Sequence, residues 1–372
     1  MKNKKQNIKT IIQKINENKR INKEEGMNLL KNVDLLTLAS LANNKRFLLH
    51  PDKIITYVVD RNINYTNVCV SKCRFCAFYV SLNKNKQINK DKQKIKKKAQ
   101  KTGYVISKQQ LSDKIKETIF LGGTQIFLQG GLNPELDIKY YVDLLEYIKK
   151  TFHIHIHGFS PPEINFIAKT SSLSIFETIS ILQKAGLDTI PGGGAEILCD
   201  DVRNKISPDK CSSKEWLEVM RQAHLQKMRT TATMMFGHIE KDFHLFEHME
   251  KIRKLQDETH GFTAFIPWTF QPCNTKMNVN KCSSIQYLKV LALSRIFLDN
   301  IDNIQASWVT QGEKIAQMAL FFGANDIGST MIEENVVAAA GVDFMLSKDQ
   351  LKHMIIRAGF LSKQRDCYYN IL

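Results

Sequence analysis

From residue 54 onward the chain alternates short runs rich in β-branched and aromatic residues with longer stretches whose apolar residues recur at helical spacing. Such alternation leaves few architectures open. A strand, a helix and the next strand form a unit in which the strands lie parallel and the helix covers one face. The extended runs fall at 54–65, 124–129, 153–159, 187–191, 230–236, 262–270, 304–309 and 324–329. Helical spacing appears at 107–121, 134–150, 175–185, 213–227, 242–257, 285–298 and 313–321, the first of these stopped by Gly122-Gly123. Strands each followed by a helix predict an α/β fold, a (β/α)8 TIM-type barrel over 54–340. A shorter, open six-stranded barrel with the last two repeats as a cap is the alternative. Leu29, Leu30, Leu35, Leu36 and Leu41 recur at helical spacing and predict two helices packed outside the barrel within 1–53. Residues 341–372 are expected to form a helical extension that closes it.

In such barrels the reactive groups sit at the C-terminal ends of the strands. The loop after the first run carries Cys69, Cys73 and Cys76, a Cys-x3-Cys-x2-Cys spacing with no fourth cysteine or histidine close by. Structural zinc wants four closed ligands. Three thiolates and a gap suit a 4Fe-4S cluster whose fourth iron stays open to an outside ligand. Unrelated core thiols or an incomplete zinc knuckle are the bland readings of the same residues. Cys199, Cys211, Cys273, Cys282 and Cys367 show no ligand spacing. The other predicted strand ends also carry polar clusters, among them Gln129-Gly130-Gly131, His157 with Ser160 and Glu163, Gly192-Gly193-Gly194-Ala195-Glu196, and Gly237-His238. Packing alone does not explain so many on one rim.

The net charge of +16 invites a nucleic-acid reading, but its distribution speaks against one. Residues 1–25 carry a net +5 and residues 84–101 a net +8, leaving +3 for the rest. No arginine-rich stripe interleaved with aromatics appears, as a nucleic-acid groove would require. The Lys/Asn-rich stretch at 81–102 reads as a solvated, mobile insertion. No run approaches the length of a membrane span, and the polar N-terminus lacks the apolar core of a signal peptide. Eight cysteines in a chain too long for a disulfide scaffold suggest a reducing compartment. The expectation is a cytoplasmic enzyme.

The cysteine triad resembles the signature of the radical S-adenosylmethionine (SAM) superfamily. The resemblance extends through Asn64-Tyr65-Thr66-Asn67-Val68-Cys69, Gln129-Gly130-Gly131-Leu132-Asn133-Pro134, Pro191-Gly192-Gly193-Gly194-Ala195-Glu196-Ile197 and Ala306-Ser307-Trp308-Val309-Thr310-Gln311. These blocks are similar to the family of cyclic dehypoxanthine futalosine synthases, of the futalosine route to menaquinone. The resemblance as a whole runs over nearly all of the chain from residue 25. The chain departs from that family in the Lys/Asn-rich insertion and in Cys273, where glycine is expected.

The resemblance implies a 4Fe-4S cluster held by Cys69, Cys73 and Cys76, and SAM as the second cofactor. The implied substrate is dehypoxanthine futalosine. A 5′-deoxyadenosyl radical takes its ribose C4′ hydrogen, the carbon radical adds to the benzoate ring, and loss of one electron and one proton restores aromaticity. A flavodoxin or ferredoxin is the implied electron donor. Sister enzymes, aminodeoxyfutalosine synthase and the enzymes of deazaflavin precursor synthesis, are the alternative. Phe75 is expected against the adenine, or else in ordinary core packing. Gly130 and Gly131 are expected to leave room for the methionine end of SAM. Glu196 suits the ribose diol, and Arg203 suits the carboxylate. His157 and His238 are the candidates for receiving the proton, unless they are buried structural histidines.

Overall fold

The β-branched run at 54–65 is extended, as its composition dictates, but it breaks into β1 (Ile54–Val58) and β2 (Asn62–Asn64). The computed structural model describes residues 7–81, 102–342 and 345–372, so the Lys/Asn-rich insertion lies almost wholly outside the described residues. Seven further strands follow: β3 (Gln125–Gln129), β4 (His155–Gly158), β5 (Thr230–Phe236), β6 (Phe262–Thr269), β7 (Asn303–Ile304), β8 (Asp326–Ser329) and β9 (Leu361–Gln364). All the named pairings are parallel, as crossover helices require.

The regular ladders form three three-stranded sheets, in the orders β8-β1-β9, β2-β3-β4 and β5-β6-β7. Single bridges run between them. His157 meets Thr189, Ile190 meets Thr230, and Gln305 meets Asp326. The α/β content is thus as expected, whereas a continuous eight-stranded ladder is not what the pairing gives. Two of the expected strands account for the gaps. The run at 187–191 contributes only bridges, because Pro191 removes a donor and three glycines follow. At 304–309 the strand stops at Ile304, and Trp308–Gln311 turns into a short helix.

The N-terminal segment differs from the two helices expected. It forms three: α1 (Ile8–Asn16), α2 (Lys23–Asn32) and α3 (Leu35–Leu49). Asn22 and Glu25 make a reciprocal capping box at α2, and Asp34 caps α3, so the leucine pattern is cut at 33–34. Gly26 of α2 lets the helix Asp242–Thr259 approach closely, since a Cβ there would stand 2.3 Å from the Phe246 ring. The C-terminal segment is not purely helical either. After the helix Lys348–Arg357 it adds β9 to the free side of β1, and the tail then turns inward.

The helix Pro161–Thr170 begins at Ser160 with two prolines in its first turn, where a missing N–H costs nothing. Among the described residues no helix is long and apolar enough to cross a membrane.

Candidate active site

The cysteine loop is held from both sides by backbone. Cys69 N–H donates to Val80 at 3.1 Å and Val80 N–H donates to Asn67 at 2.8 Å, while Val70 N–H donates to Leu132 at 3.0 Å. Lys72 takes φ 49°, which bends the chain between the first two cysteines. The two glycines after β3 are there for this loop. A Cβ on Gly131 would stand 2.2 Å from the Val68 carbonyl oxygen, and one on Gly130 would stand 2.5 Å from the Tyr65 ring. Their small size therefore answers first to packing within the chain. Glu163 locks the arrangement: its carboxylate accepts from Gly130 N–H at 2.9 Å, Tyr65 Oη at 2.7 Å and Ser160 N–H at 2.8 Å.

One cavity of about 370 Å³ collects Cys69, Cys73, Cys76, Phe75, Gly130, Gly131, Glu196 and His157. It also contains Lys210, which the sequence did not single out. The Lys210 ammonium donates to Glu196 Oε1 at 2.8 Å and stands 5.2 Å from the Phe75 ring centroid. Burial opposes its charge, but Glu196 and then Cys73 hold its pKa well above the ordinary lysine value. Burial pushes the Cys69 thiol up and the Cys73 thiol to about 11, against the pull of Lys210. Thiolates at these positions need positive charge beside them, which iron supplies.

Arg203 does not reach this cavity. Its guanidinium donates to the carbonyls of Gly194 (3.2 Å), Ala195 (2.5 Å) and Cys211 (2.6 and 3.1 Å). It therefore ties the strap bearing Glu196 to the one bearing Lys210, and the expectation of a contact with the SAM carboxylate gives way to a positioning role. His238 also lies elsewhere, in a separate pocket with Glu240, Lys241 and Cys282. Its Nε2 lies 3.1 Å from the Met235 carbonyl oxygen and its Nδ1 accepts from Ile239 N–H at 2.7 Å; the buried structural alternative describes it. His157 lines the cavity, with Nδ1 2.8 Å from Thr189 Oγ1. Burial lowers its pKa to about 3, so it is neutral at pH 7 and a weaker base than a near-neutral histidine.

No group of three or more His, Cys, Asp or Glu among the described residues is gathered tightly enough for a single metal ion. A cuboidal cluster binds each thiolate on a different iron and so needs its sulfurs farther apart. Three cysteines lining one cavity, with the half-buried Lys210 ammonium alongside, fit that group.

The Radical SAM superfamily model matches residues 63–252, and a model described as the CofH/MqnC C-terminal region matches 259–372. A cyclic dehypoxanthine futalosine synthase of Halalkalibacterium halodurans is 41% identical over 367 residues, 98% of this chain and 95% of the relative. One of Streptomyces coelicolor is 38% identical, covering 95% of this chain and 86% of the relative. A 5-amino-6-(D-ribitylamino)uracil–L-tyrosine 4-hydroxyphenyl transferase of Methanococcoides burtonii is 40% identical, covering 93% and 94%. Among solved structures, the FeFe-hydrogenase maturase HydG superposes with a TM-score of 0.73 at 16% identity, over 98% of this chain and 78% of that one. Methylornithine synthase (PylB) follows at 0.65 and 16%, over 95% and 97%; both likenesses concern the fold. The chain therefore belongs to the radical SAM superfamily, whose enzymes use a 4Fe-4S cluster and SAM, and within it to the family shared by the cyclic dehypoxanthine futalosine synthases and the 4-hydroxyphenyl transferases.

Proposed function

We propose that this enzyme cyclises dehypoxanthine futalosine, joining its ribose C4′ to its own benzoate ring in menaquinone biosynthesis. The observation that carries the reading is the match to relatives named for this cyclisation, at 41% and 38% identity over 98% and 95% of the chain. In this reading Cys69, Cys73 and Cys76 hold the cluster. Phe75, Glu196 and Lys210 line the SAM pocket, with Glu196 facing the ribose diol and Lys210 facing the carboxylate. Gly130 and Gly131 bring backbone close to the methionine end. The bound cofactors supply a primary carbon radical that takes one hydrogen atom from the substrate.

The chain's own residues do the rest. Phe127, Trp268 and Trp308 make an apolar wall that keeps water from the reacting carbons and holds the ring against C4′. Fixed orientation of this kind is worth up to about 7–11 kcal/mol of barrier. His157, neutral and buried, is the candidate within the cavity for passing on the proton released at rearomatisation. The same reading treats the three sheets as one (β/α)8 wall at 54–340, flanked by extensions at 1–53 and 341–372. It also takes the enzyme to be cytoplasmic, with a flavodoxin or ferredoxin as reductant.

A second reading has its own support. Relatives named as 4-hydroxyphenyl transferases are up to 40% identical over 93% of the chain. Anaerobic incubation of the reconstituted enzyme with dehypoxanthine futalosine, or with 5-amino-6-(D-ribitylamino)uracil and tyrosine, separates the two. The cyclisation reading expects a product two mass units below dehypoxanthine futalosine. Turnover of the uracil pair alone would overturn it.

A further inference from the structure

The cysteine loop does not account for the inner end of the cavity. Along β3 the side chains of Gln125, Phe127 and Gln129 share the inward face, and all three line the cavity. Gln129 sits beside the glycines that pack on the cysteine loop. Gln125 therefore lies roughly 13 Å deeper, at about 3.3 Å per residue. Asp60, between β1 and β2, meets it there. Gln125 Nε2 donates to Asp60 Oδ2 at 2.7 Å, and Ser329 Oγ donates to Oδ1. Burial raises the Asp60 pKa, but Ser329 Oγ, itself an acceptor from Met331 N–H, donates to it and holds it as an acceptor, which sets the Gln125 amide with its nitrogen toward Asp60. Its carbonyl oxygen, Oε1, is then left without a hydrogen-bond partner, although Gln125 is only 4% exposed. A buried acceptor left unmet is costly. The position calls for a donor from a ligand.

The surroundings say what kind. Each Asp60 oxygen carries one donor and has a lone pair to spare. Arg365, the cation at this end, is committed to Asp326 through two hydrogen bonds of 2.6 and 3.0 Å and to the Asp366 carbonyl at 3.0 Å. A carboxylate or phosphate entering here would meet acceptors, whereas a hydroxyl would find them in place.

We propose that Gln125 and Asp60 form a hydroxyl-binding subsite for the sugar-derived polyol of the substrate. The inference rests on the functional reading above, in which the substrate carries a ribose. The alternative substrate, 5-amino-6-(D-ribitylamino)uracil, carries a ribityl chain, so hydroxyls are chemistry common to both.

The test uses the reconstituted, SAM-loaded enzyme and its Gln125→Met and Asp60→Asn variants. Calorimetric binding and steady-state turnover are measured with dehypoxanthine futalosine and with analogues lacking one ribose hydroxyl. The subsite predicts a Kd raised at least tenfold in Gln125→Met and at least fivefold in Asp60→Asn. SAM affinity and cluster absorption should match the unaltered protein. Deleting the bound hydroxyl should cost the unaltered enzyme more than it costs Gln125→Met. If Gln125→Met does not load its cluster, Asp60→Asn decides the question. A Kd within twofold of the unaltered value in the loaded variants overturns the subsite. Turnover of the uracil substrate in place of the futalosine overturns the functional reading instead. The same variants then test the subsite on that substrate, by the same criterion.

Discussion

Arg203 and Lys210 lie seven residues apart, the first buried and the second half-buried, and do different work. Arg203 spends its donors on three backbone carbonyls, whereas Lys210 points its charge at Glu196 and the cysteines. Arg203→Met should leave those carbonyls unmet, at about 1–3 kcal/mol each. We expect a lower melting temperature together with weaker SAM binding, because both ends of the Glu196–Lys210 pair lose their anchor. Glu196→Gln should weaken SAM binding tenfold or more, about 1.4 kcal/mol, with the cluster's absorption unchanged; equilibrium binding of SAM checks both variants. The sequence made Glu196 visible, because a carboxylate after three glycines at a strand end is a site by position. It also showed Arg203, but not that carbonyls rather than a ligand would claim it. Lys210 was silent. It stands fourteen residues past Glu196 in an irregular stretch, and only the fold of the 196–211 segment brings the two together.

At the scale of elements, the glycine turn after β3 and the strand β9 each carry a prediction. Gly131→Ala forces a Cβ against the Val68 backbone, which cannot swing aside as a side chain could. We expect less iron per chain on reconstitution and 5′-deoxyadenosine formation slowed at least tenfold, about 1.4 kcal/mol of barrier, with the far-ultraviolet spectrum retained. β9 brings Arg365 onto Asp326, whose side chain is fully buried. Arg365→Leu should destabilise the fold by about 3–5 kcal/mol, the cost of a buried charge left alone, as read by urea unfolding. Long strands such as β5 and β6 were legible because Thr230, Thr231, Thr233 and Phe236 in one, and Phe262, Thr263, Phe265, Ile266, Trp268 and Thr269 in the other, favour extended backbone. The run at 187–191 was not, since its bridges depend on neighbours that the sequence cannot place. The helix Pro161–Thr170 was hidden by its own start, where paired prolines read as loop. The inward row Asp60, Asn62 and Asn64 was available as a polar alternation on a strand, and it marks the cavity wall.

For the whole molecule, three buried histidines work against folding in acid. Burial lowers His157, His224 and His248 to about 3 from an ordinary 6.5. Between those values the unfolded chain binds protons that the folded chain refuses. Their contribution to stability therefore falls as pH drops from about 6.5 toward 3, by up to about 1.4 kcal/mol per pH unit for each histidine, and is flat above that window. Urea midpoints across pH 4–8 check the slope, and replacing His248 by Gln should make it shallower.

In the proposed cyclisation the cavity holds a ribose C4′–H bond against a carbon radical and the benzoate ring against C4′. Dehypoxanthine futalosine carrying deuterium at C4′ tests it most directly, in an anaerobic reaction with SAM and reductant. One deuterium is expected in the 5′-deoxyadenosine formed and none in the cyclised product. Cyclised product accompanied by unlabelled 5′-deoxyadenosine, or 5′-deoxyadenosine with no cyclised product at all, would contradict it.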